Sequence, residues 1–143
     1  MKPERPAAMD TADSAGAEAV AVYFLQLYPY VYATNDLTEW RALSHPECIF
    51  CASVIQDVEE QAALGHYSEG GELVVQSIET IEVSSDFYSV IATVQQQAAI
   101  EYDAEGNAVD QSPAQPGQLS IAATTDGSTW LIRGVQVDEV PES

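Results

Sequence analysis

Positive charge is the scarcest feature of this 143-residue sequence, in which four Lys and Arg stand against 23 Asp and Glu and the net charge is −19. Lys2 and Arg5 lie at the start of the chain, which leaves Arg41 and Arg133 as the cations of the rest. Such a surface repels phosphates and anionic headgroups, which argues against nucleic-acid binding and against direct binding to a lipid surface. We interpret the acidity itself as a means of staying soluble.

Long apolar runs are also missing. No stretch reaches the roughly 18 apolar residues that could span a membrane, and Met1 is followed by Lys2 without the apolar segment of a signal peptide. Residues 1–13, rich in Pro, Ala and acidic residues, are predicted to be a flexible leader that makes no core contacts. Residues 14–140 are long enough to form a single domain around one hydrophobic core.

The first half of the chain has helical periodicity. Apolar residues three and four positions apart predict a helix over residues 14–35, in which Pro29 is expected to introduce a kink or a split. A short helix is predicted over residues 37–43. A third is predicted over residues 44–65, with a proline in its first turn and a glycine at its end.

The second half has the alternating pattern of strands, interrupted by polar turns. The second of these strands is long enough to bend at Gln96, and residues 103–117 are predicted to form a long polar loop. Helices followed by strands indicate an α+β fold, in which three N-terminal helices pack on a curved antiparallel sheet of about four strands. The predicted strands cover residues 72–83, 87–102, 118–125 and 129–140. The sheet face expected to pack against the first helix carries Val90, Ala92, Val94, Leu119 and Ile121.

The two cysteines, Cys48 and Cys51, form a C-x-x-C motif that allows three interpretations. A redox dithiol would require a stabilised thiolate, which the negative charge of the adjacent Glu47 disfavours. A zinc site would combine both cysteines with His45 and His66. A disulfide is the third possibility, because two Cα atoms three residues apart in a helical turn lie within bridging distance.

Several segments together resemble a known family: "PERPAAM", "YFLQLYPYVYATND", "RALSHPECIFCASV", "EGGELVV" and a C-terminal strand containing Trp. Over roughly residues 3–137 the chain resembles a domain-of-unknown-function family of actinobacterial secreted lipoproteins. The resemblance implies a cone-shaped fold similar to nuclear transport factor 2 and cystatin. It also implies an extracellular or cell-envelope location, with membrane anchoring through an N-terminal lipid that is absent from this chain. In that oxidising compartment we expect Cys48 and Cys51 to form a disulfide.

A fold of this type often has a pocket between its long helix and the concave sheet. The residues we expect to line it, and to bind a small ligand there, are Tyr23, Tyr28, Tyr32, Trp40 and Arg133. Tyr23 and Tyr28 also lie on the apolar stripe, where packing alone would account for them. The arginine could instead pair with a nearby acid such as Glu79 or Glu82.

No motif for nucleophilic catalysis or for nucleotide binding is present in the sequence. Asp57 and Glu101 come closest to pocket carboxylates, but the patterns predict both on outward polar faces. We therefore predict a non-enzymatic cell-envelope domain that binds a small ligand or an envelope protein, without a cofactor or a metal. The alternatives are a small cone-fold enzyme that uses a pocket carboxylate and a tyrosine, or a thiol-redox or zinc protein centred on Cys48 and Cys51.

Overall fold

The computed structural model describes residues 2–138, which form three helices packed against two antiparallel sheets. The α+β class and the order of helices before strands are as predicted. The last two residues of the predicted final strand and of the predicted domain, 139 and 140, lie outside the described residues. Within the described part, no helix is long and apolar enough to cross a membrane.

The first helix, α1 (Ser14–Thr34), supports the whole fold. Its N-terminus is capped by the Asp13 side chain, which accepts a hydrogen bond of 2.9 Å from the backbone N–H of Gly16. It ends at Asn35, whose φ of 62° is the left-handed conformation that Asn tolerates. Pro29 lies inside α1 without splitting it, so the split that its ring could have caused does not occur.

The predicted leader is attached to the core, contrary to expectation. Ala7–Asp10 forms a 3-10 turn, and the Met9 side chain is only 2% exposed within the core cluster. The Thr11 carbonyl accepts a hydrogen bond of 3.1 Å from the indole N–H of Trp130. The prediction that this segment makes no core contacts is wrong, because Met9 lies in a stretch without helical or strand periodicity and nothing in the local pattern indicates its burial.

Two shorter helices follow: α2 (Thr38–Leu43) and α3 (Ile49–Ala63). The third helix begins later than predicted, because the chain before it runs beside the last strand. Ser44 forms a parallel bridge with Ile132, and the N–H of the next residue donates to the Ile132 carbonyl at 3.0 Å. These contacts replace the first helical turn that the sequence predicted.

The larger sheet has the predicted four strands, and its inner face forms the core with α1. The predicted inner residues Val90, Ala92, Val94, Leu119 and Ile121 are all at most 8% exposed, which confirms the assignment of this face. The strands, with spatial order β2-β3-β6-β7, are β2 (Leu73–Ser84), β3 (Phe87–Gln96), β6 (Gln115–Thr125) and β7 (Trp130–Asp138).

A second, smaller sheet was missed by the sequence analysis. Its strands, in spatial order β1-β4-β5, are β1 (Tyr67–Gly70), β4 (Ala99–Tyr102) and β5 (Ala108–Ser112). The predicted long strand therefore ends at Gln96, where a bend was expected, and its continuation β4 belongs to the second sheet. The predicted loop over 103–117 is wrong, since it contains β5. All five residues of β5 are exposed, so no buried face marks the strand in the sequence.

Candidate functional site

A cavity of about 390 Å³ lies between the helices and the concave face of the larger sheet. Helical residues and strand residues close it from opposite sides. Its helical wall includes Phe24, Tyr28, Trp40 and Phe50, and its sheet wall includes Leu73, Val94, Gly117, Leu119 and Val135.

The aromatic wall is held rigidly in place. Phe24 and Trp40 stack with ring centroids 3.9 Å apart, and Tyr28 stacks on Phe50 at 6.2 Å. The Trp40 indole N–H donates a hydrogen bond of 3.1 Å to the carbonyl of Cys51, so its one polar atom is satisfied away from the cavity. The cavity wall is therefore pre-formed and does not depend on a ligand for its shape.

Polar groups at the first cavity are few and uncharged. Gln96 and Gln115 are the amides among its lining residues, and Gln115 Nε2 donates to Gln96 Oε1 at 3.4 Å. Among the described residues that line it there is no Asp, Glu, His, Lys or Arg. This arrangement can enclose an apolar molecule, and its one titratable side chain is Tyr28, whose pKa is raised by burial.

A second cavity, of about 310 Å³, lies beside the first and has the opposite character. Tyr28 and Gln96 line both cavities and so form their shared wall. The remaining wall is formed by Tyr32 of α1, by Asp57 of α3 and by one face of the smaller sheet. That face carries Ser68 and Gly70 of β1, Ala99 and Glu101 of β4, and Asp110 and Ser112 of β5.

Both tyrosines of the second cavity have raised pKa values and keep their protons, and Tyr32 is a hydrogen-bond donor. The Tyr32 hydroxyl donates to Asp57 Oδ2 at 3.2 Å, and its ring meets that of Tyr28 edge to face at 5.3 Å. Burial raises the pKa of Tyr28, and burial followed by the proximity of Tyr28 and Asp57 raises the pKa of Tyr32. On the opposite wall, the Glu101 carboxylate has His66 as a neighbour, with Oε2 2.8 Å from His66 Nδ1.

The five predicted ligand-binding residues do not form one site. Tyr28 and Trp40 line the first cavity, and Tyr32 lines the second. Tyr23 is 1% exposed and packs in the core. Arg133 lines neither cavity, and it pairs with Glu47 at 3.1 Å rather than with the acids suggested from the sequence.

The structure does bring together the two carboxylates that the sequence analysis set aside. Asp57 and Glu101 were predicted on outward faces, but β1 of the smaller sheet packs against α1, and both carboxylates line the second cavity. Asp110, on the unpredicted strand β5, is the acid that sequence reasoning missed. Its position opposite Glu101 could have been found only by recognising β5 as a strand.

Cys48 and Cys51 are joined in a disulfide with Cα atoms 5.2 Å apart, and both residues are at most 2% exposed. The zinc alternative would need His45 and His66 beside them. His45 instead accepts a hydrogen bond from the N–H of Glu47, and the His66 ring contacts Glu101. In residues 2–138 no group of three or more potential ligands is placed to hold a metal ion.

Solved structures with low sequence identity share this fold. The intermembrane-space region of the chloroplast protein ARC6 is 16% identical, with a TM-score of 0.66 over 90% of this chain and 98% of its own. An uncharacterised protein with a cystatin-like fold from Caulobacter vibrioides is 14% identical, with a TM-score of 0.55 over 88% and 90%. A candidate scytalone dehydratase from Novosphingobium aromaticivorans is 16% identical, with a TM-score of 0.57 over 90% and 88%. At these identities the likeness establishes the fold alone, the cystatin-like or nuclear transport factor 2-like cone.

Comparison at the level of sequence gives the family. A search of curated proteins finds no match. The model of a family of unknown function, DUF6318, matches residues 2–136, which is nearly the entire chain. The cysteine pair, the aromatic first helix and all lining residues of the two cavities except Val137 lie within the matched region, and the protein therefore belongs to the DUF6318 family.

Proposed function

We propose that this domain binds a small molecule through its apolar part in the first cavity and catalyses no reaction on it. The observation that carries the proposal is the cavity itself, about 390 Å³ of space with an apolar, pre-formed lining. That volume is within the range of small-molecule sites in proteins, about 300–1,000 Å³. Because the aromatic wall is already in place, a ligand would not have to order it on binding.

The lining supports binding more than catalysis. General acid–base chemistry requires a titratable side chain within hydrogen-bonding distance of the reacting atom. Among its described residues the first cavity offers two amides, Gln96 and Gln115, and the hydroxyl of Tyr28, whose pKa is raised by burial so that it keeps its proton; the other side chains are apolar or, like Trp40, have their polar atom bonded elsewhere. We therefore expect a bound molecule to be released unchanged.

We further propose that the domain works outside the cytoplasm, in the cell envelope, attached to the membrane by a lipid on an N-terminal cysteine outside this chain. The Cys48–Cys51 disulfide supports an oxidising compartment, because such bonds persist in exported proteins and are rare in the cytosol. Labelling of intact producing cells with a membrane-impermeant amine reagent tests this location. Protection of the protein to the same degree as a cytoplasmic marker would contradict it.

The binding proposal can be tested by filling the cavity. Gly117 lines it from β6, and a Cβ atom placed there would lie 3.8 Å from Val94 Cγ2, an ordinary contact. Its backbone is not in the left-handed region, so Gly117→Leu places a side chain in the cavity without backbone strain. We expect an uncharged fluorescent naphthylamine dye, displaceable by decanol, to bind the wild type and to bind this variant about tenfold more weakly.

Gly134→Leu is the matched control. Gly134 is also a strand glycine without a left-handed φ, but it lines neither cavity and a Cβ there would meet open space. We expect this variant to bind the dye as the wild type does. Equal weakening in both variants, or no displaceable binding to the wild type, would contradict the proposal.

One contact favours a second candidate, a small acid–base enzyme. The Tyr32 hydroxyl donates to Asp57 in the second cavity, where the carboxylate could act as a base and the phenol as a hydrogen-bond donor to a substrate. The two candidates differ in the fate of the bound molecule. Mass spectrometry of ligands recovered after incubation should show no change for a binding domain, and a change that Asp57→Asn abolishes would favour the enzyme.

A further inference from the structure

The two cavities are adjacent and opposite in polarity. They share Tyr28 and Gln96, so a molecule lying in one reaches the wall of the other. Gln96 is held to Gln115 by a hydrogen bond of 3.4 Å, which is at the long limit for such bonds, so moving it aside would cost little. An occupant of the apolar cavity can thus extend a polar group into the second cavity.

The second cavity is lined by carboxylates whose mutual repulsion a bound cation would reduce. Glu101 of β4 and Asp110 of β5 are directly opposite each other in the strand register, and both line the cavity. Like charges in directly opposite positions destabilise a pair of strands. Asp57 adds a third carboxylate from α3, and no Lys or Arg is among the described lining residues.

The tyrosines add a second attraction for a positive group. Tyr28 and Tyr32 both line the second cavity, and an ammonium group against the face of an aromatic ring is stabilised by the ring quadrupole. Glu101 already has one partner, His66, whose Nδ1 lies 2.8 Å from its Oε2. The net charge of −19 draws cations toward the protein from a distance as well.

We propose that the ligand is an amphipathic amine, with its apolar body in the first cavity and its ammonium group in the second among Asp57, Glu101 and Asp110. This inference rests on the proposed function of the first cavity and adds the chemical class of the ligand. Tyr28, which belongs to both walls, would contact the ligand where its apolar and charged parts join.

Three compounds with the same tail test the inference: decylamine, decanol and decanoate. Binding to the wild-type protein is measured by calorimetry at low and at high salt. We expect decylamine to bind most tightly and decanoate most weakly, because the tail contacts are equal and only the head group differs. The advantage of decylamine over decanol should shrink at high salt, since salt screens partly exposed charges.

Two variants connect the preference to the second cavity. Asp57→Asn and Asp110→Asn each remove one carboxylate while keeping the shape of the side chain. We expect each to weaken decylamine about fivefold, the upper end for a solvent-exposed ion pair, and to leave decanol unchanged. Glu105→Gln is the control, since it makes the same change in net charge at an exposed loop residue outside both cavities.

Each outcome has a distinct meaning. Equal affinity for all three compounds, lost in Gly117→Leu, would overturn the cation inference and leave the apolar site intact. Decylamine binding that Glu105→Gln weakens as much as Asp57→Asn would show only general attraction to an acidic surface, which also overturns it. If none of the three compounds binds, the proposed function itself fails.

Discussion

Substitution of Gly16 by alanine should lower the stability of the protein if the leader, residues 1–13, is attached to the core, and raise it if the leader is detached. An alanine in place of a helical glycine normally stabilises a helix by up to about 1 kcal/mol. In this structure, however, a Cβ atom at Gly16 would collide with the backbone carbonyl of Thr11 and approach the Ala8 carbonyl to 3.2 Å. The leader would have to move, and Met9, which is 2% exposed, would leave the core with it.

The expected loss follows from these two effects. Truncating a buried methionine to alanine costs about 2–5 kcal/mol, so after the gain in helix propensity Gly16→Ala should destabilise the protein by at least about 1 kcal/mol. Urea unfolding followed by circular dichroism measures the change, and thermal unfolding should show a drop of about 2–4 °C for each kcal/mol. Repeating the substitution in a chain that lacks residues 1–12 provides the control, in which it should become neutral or stabilising. If Gly16→Ala stabilises the full chain, the leader is not attached and the reasoning is refuted.

Three further predictions concern the core, the disulfide and a turn. Leu27→Ala should lower the free energy of unfolding by about 2–5 kcal/mol because Leu27 is fully buried. Leu64→Ala, at a residue 65% exposed, should change the free energy of unfolding by less than about 0.5 kcal/mol. Similar losses in the two variants would mean that the inner face of α1 is misassigned. Reduction of the Cys48–Cys51 disulfide should raise the mass of the protein by about two units and lower its free energy of unfolding by about 2 kcal/mol without unfolding the domain. Alkylation of either cysteine before a reductant is added would contradict the disulfide. Hydrogen bonds from the backbone N–H groups of Ser128 and Thr129 lower the pKa of Asp126 to about 2, so Asp126→Ala should be less stable than the wild type at neutral pH. The difference in stability between the two proteins should narrow as the pH falls from about 4 to about 2, where the Asp126 carboxylate of the wild type takes up its proton. A difference that stays constant over this range would show that the carboxylate charge is not its cause.

The sequence predicted those parts of the fold in which local pattern and burial agree. The stripe of α1 and the alternating inner faces of β3 and β6 are buried as their periodicity indicated, because each of these elements has one apolar side. The smaller sheet could not be predicted in the same way. Its strand β5 is exposed throughout and depends on pairing with β4, which is a tertiary contact without a local pattern.

The candidate site was predictable to the same limited extent. Tyr28 and Trp40 were identified as pocket residues because aromatic side chains on an inward stripe must meet the sheet. The position of Arg133 was not predictable, since its partner Glu47 comes close only through the bridge that Ser44 makes with β7. The acidic cavity was missed for a related reason, because its wall is the unpredicted smaller sheet.

The placement of the two tryptophans gives the protein two separate optical reporters. Trp40 stacks on Phe24 in the wall of the first cavity, so its emission should respond to a molecule that enters there. Trp130 donates its indole N–H to Thr11 and is thereby coupled to the leader. In a Trp130→Phe background the remaining fluorescence follows occupation of the cavity, and in a Trp40→Phe background it follows release of the N-terminal segment. One spectroscopic method can therefore determine whether filling the cavity loosens the N-terminus or leaves it in place.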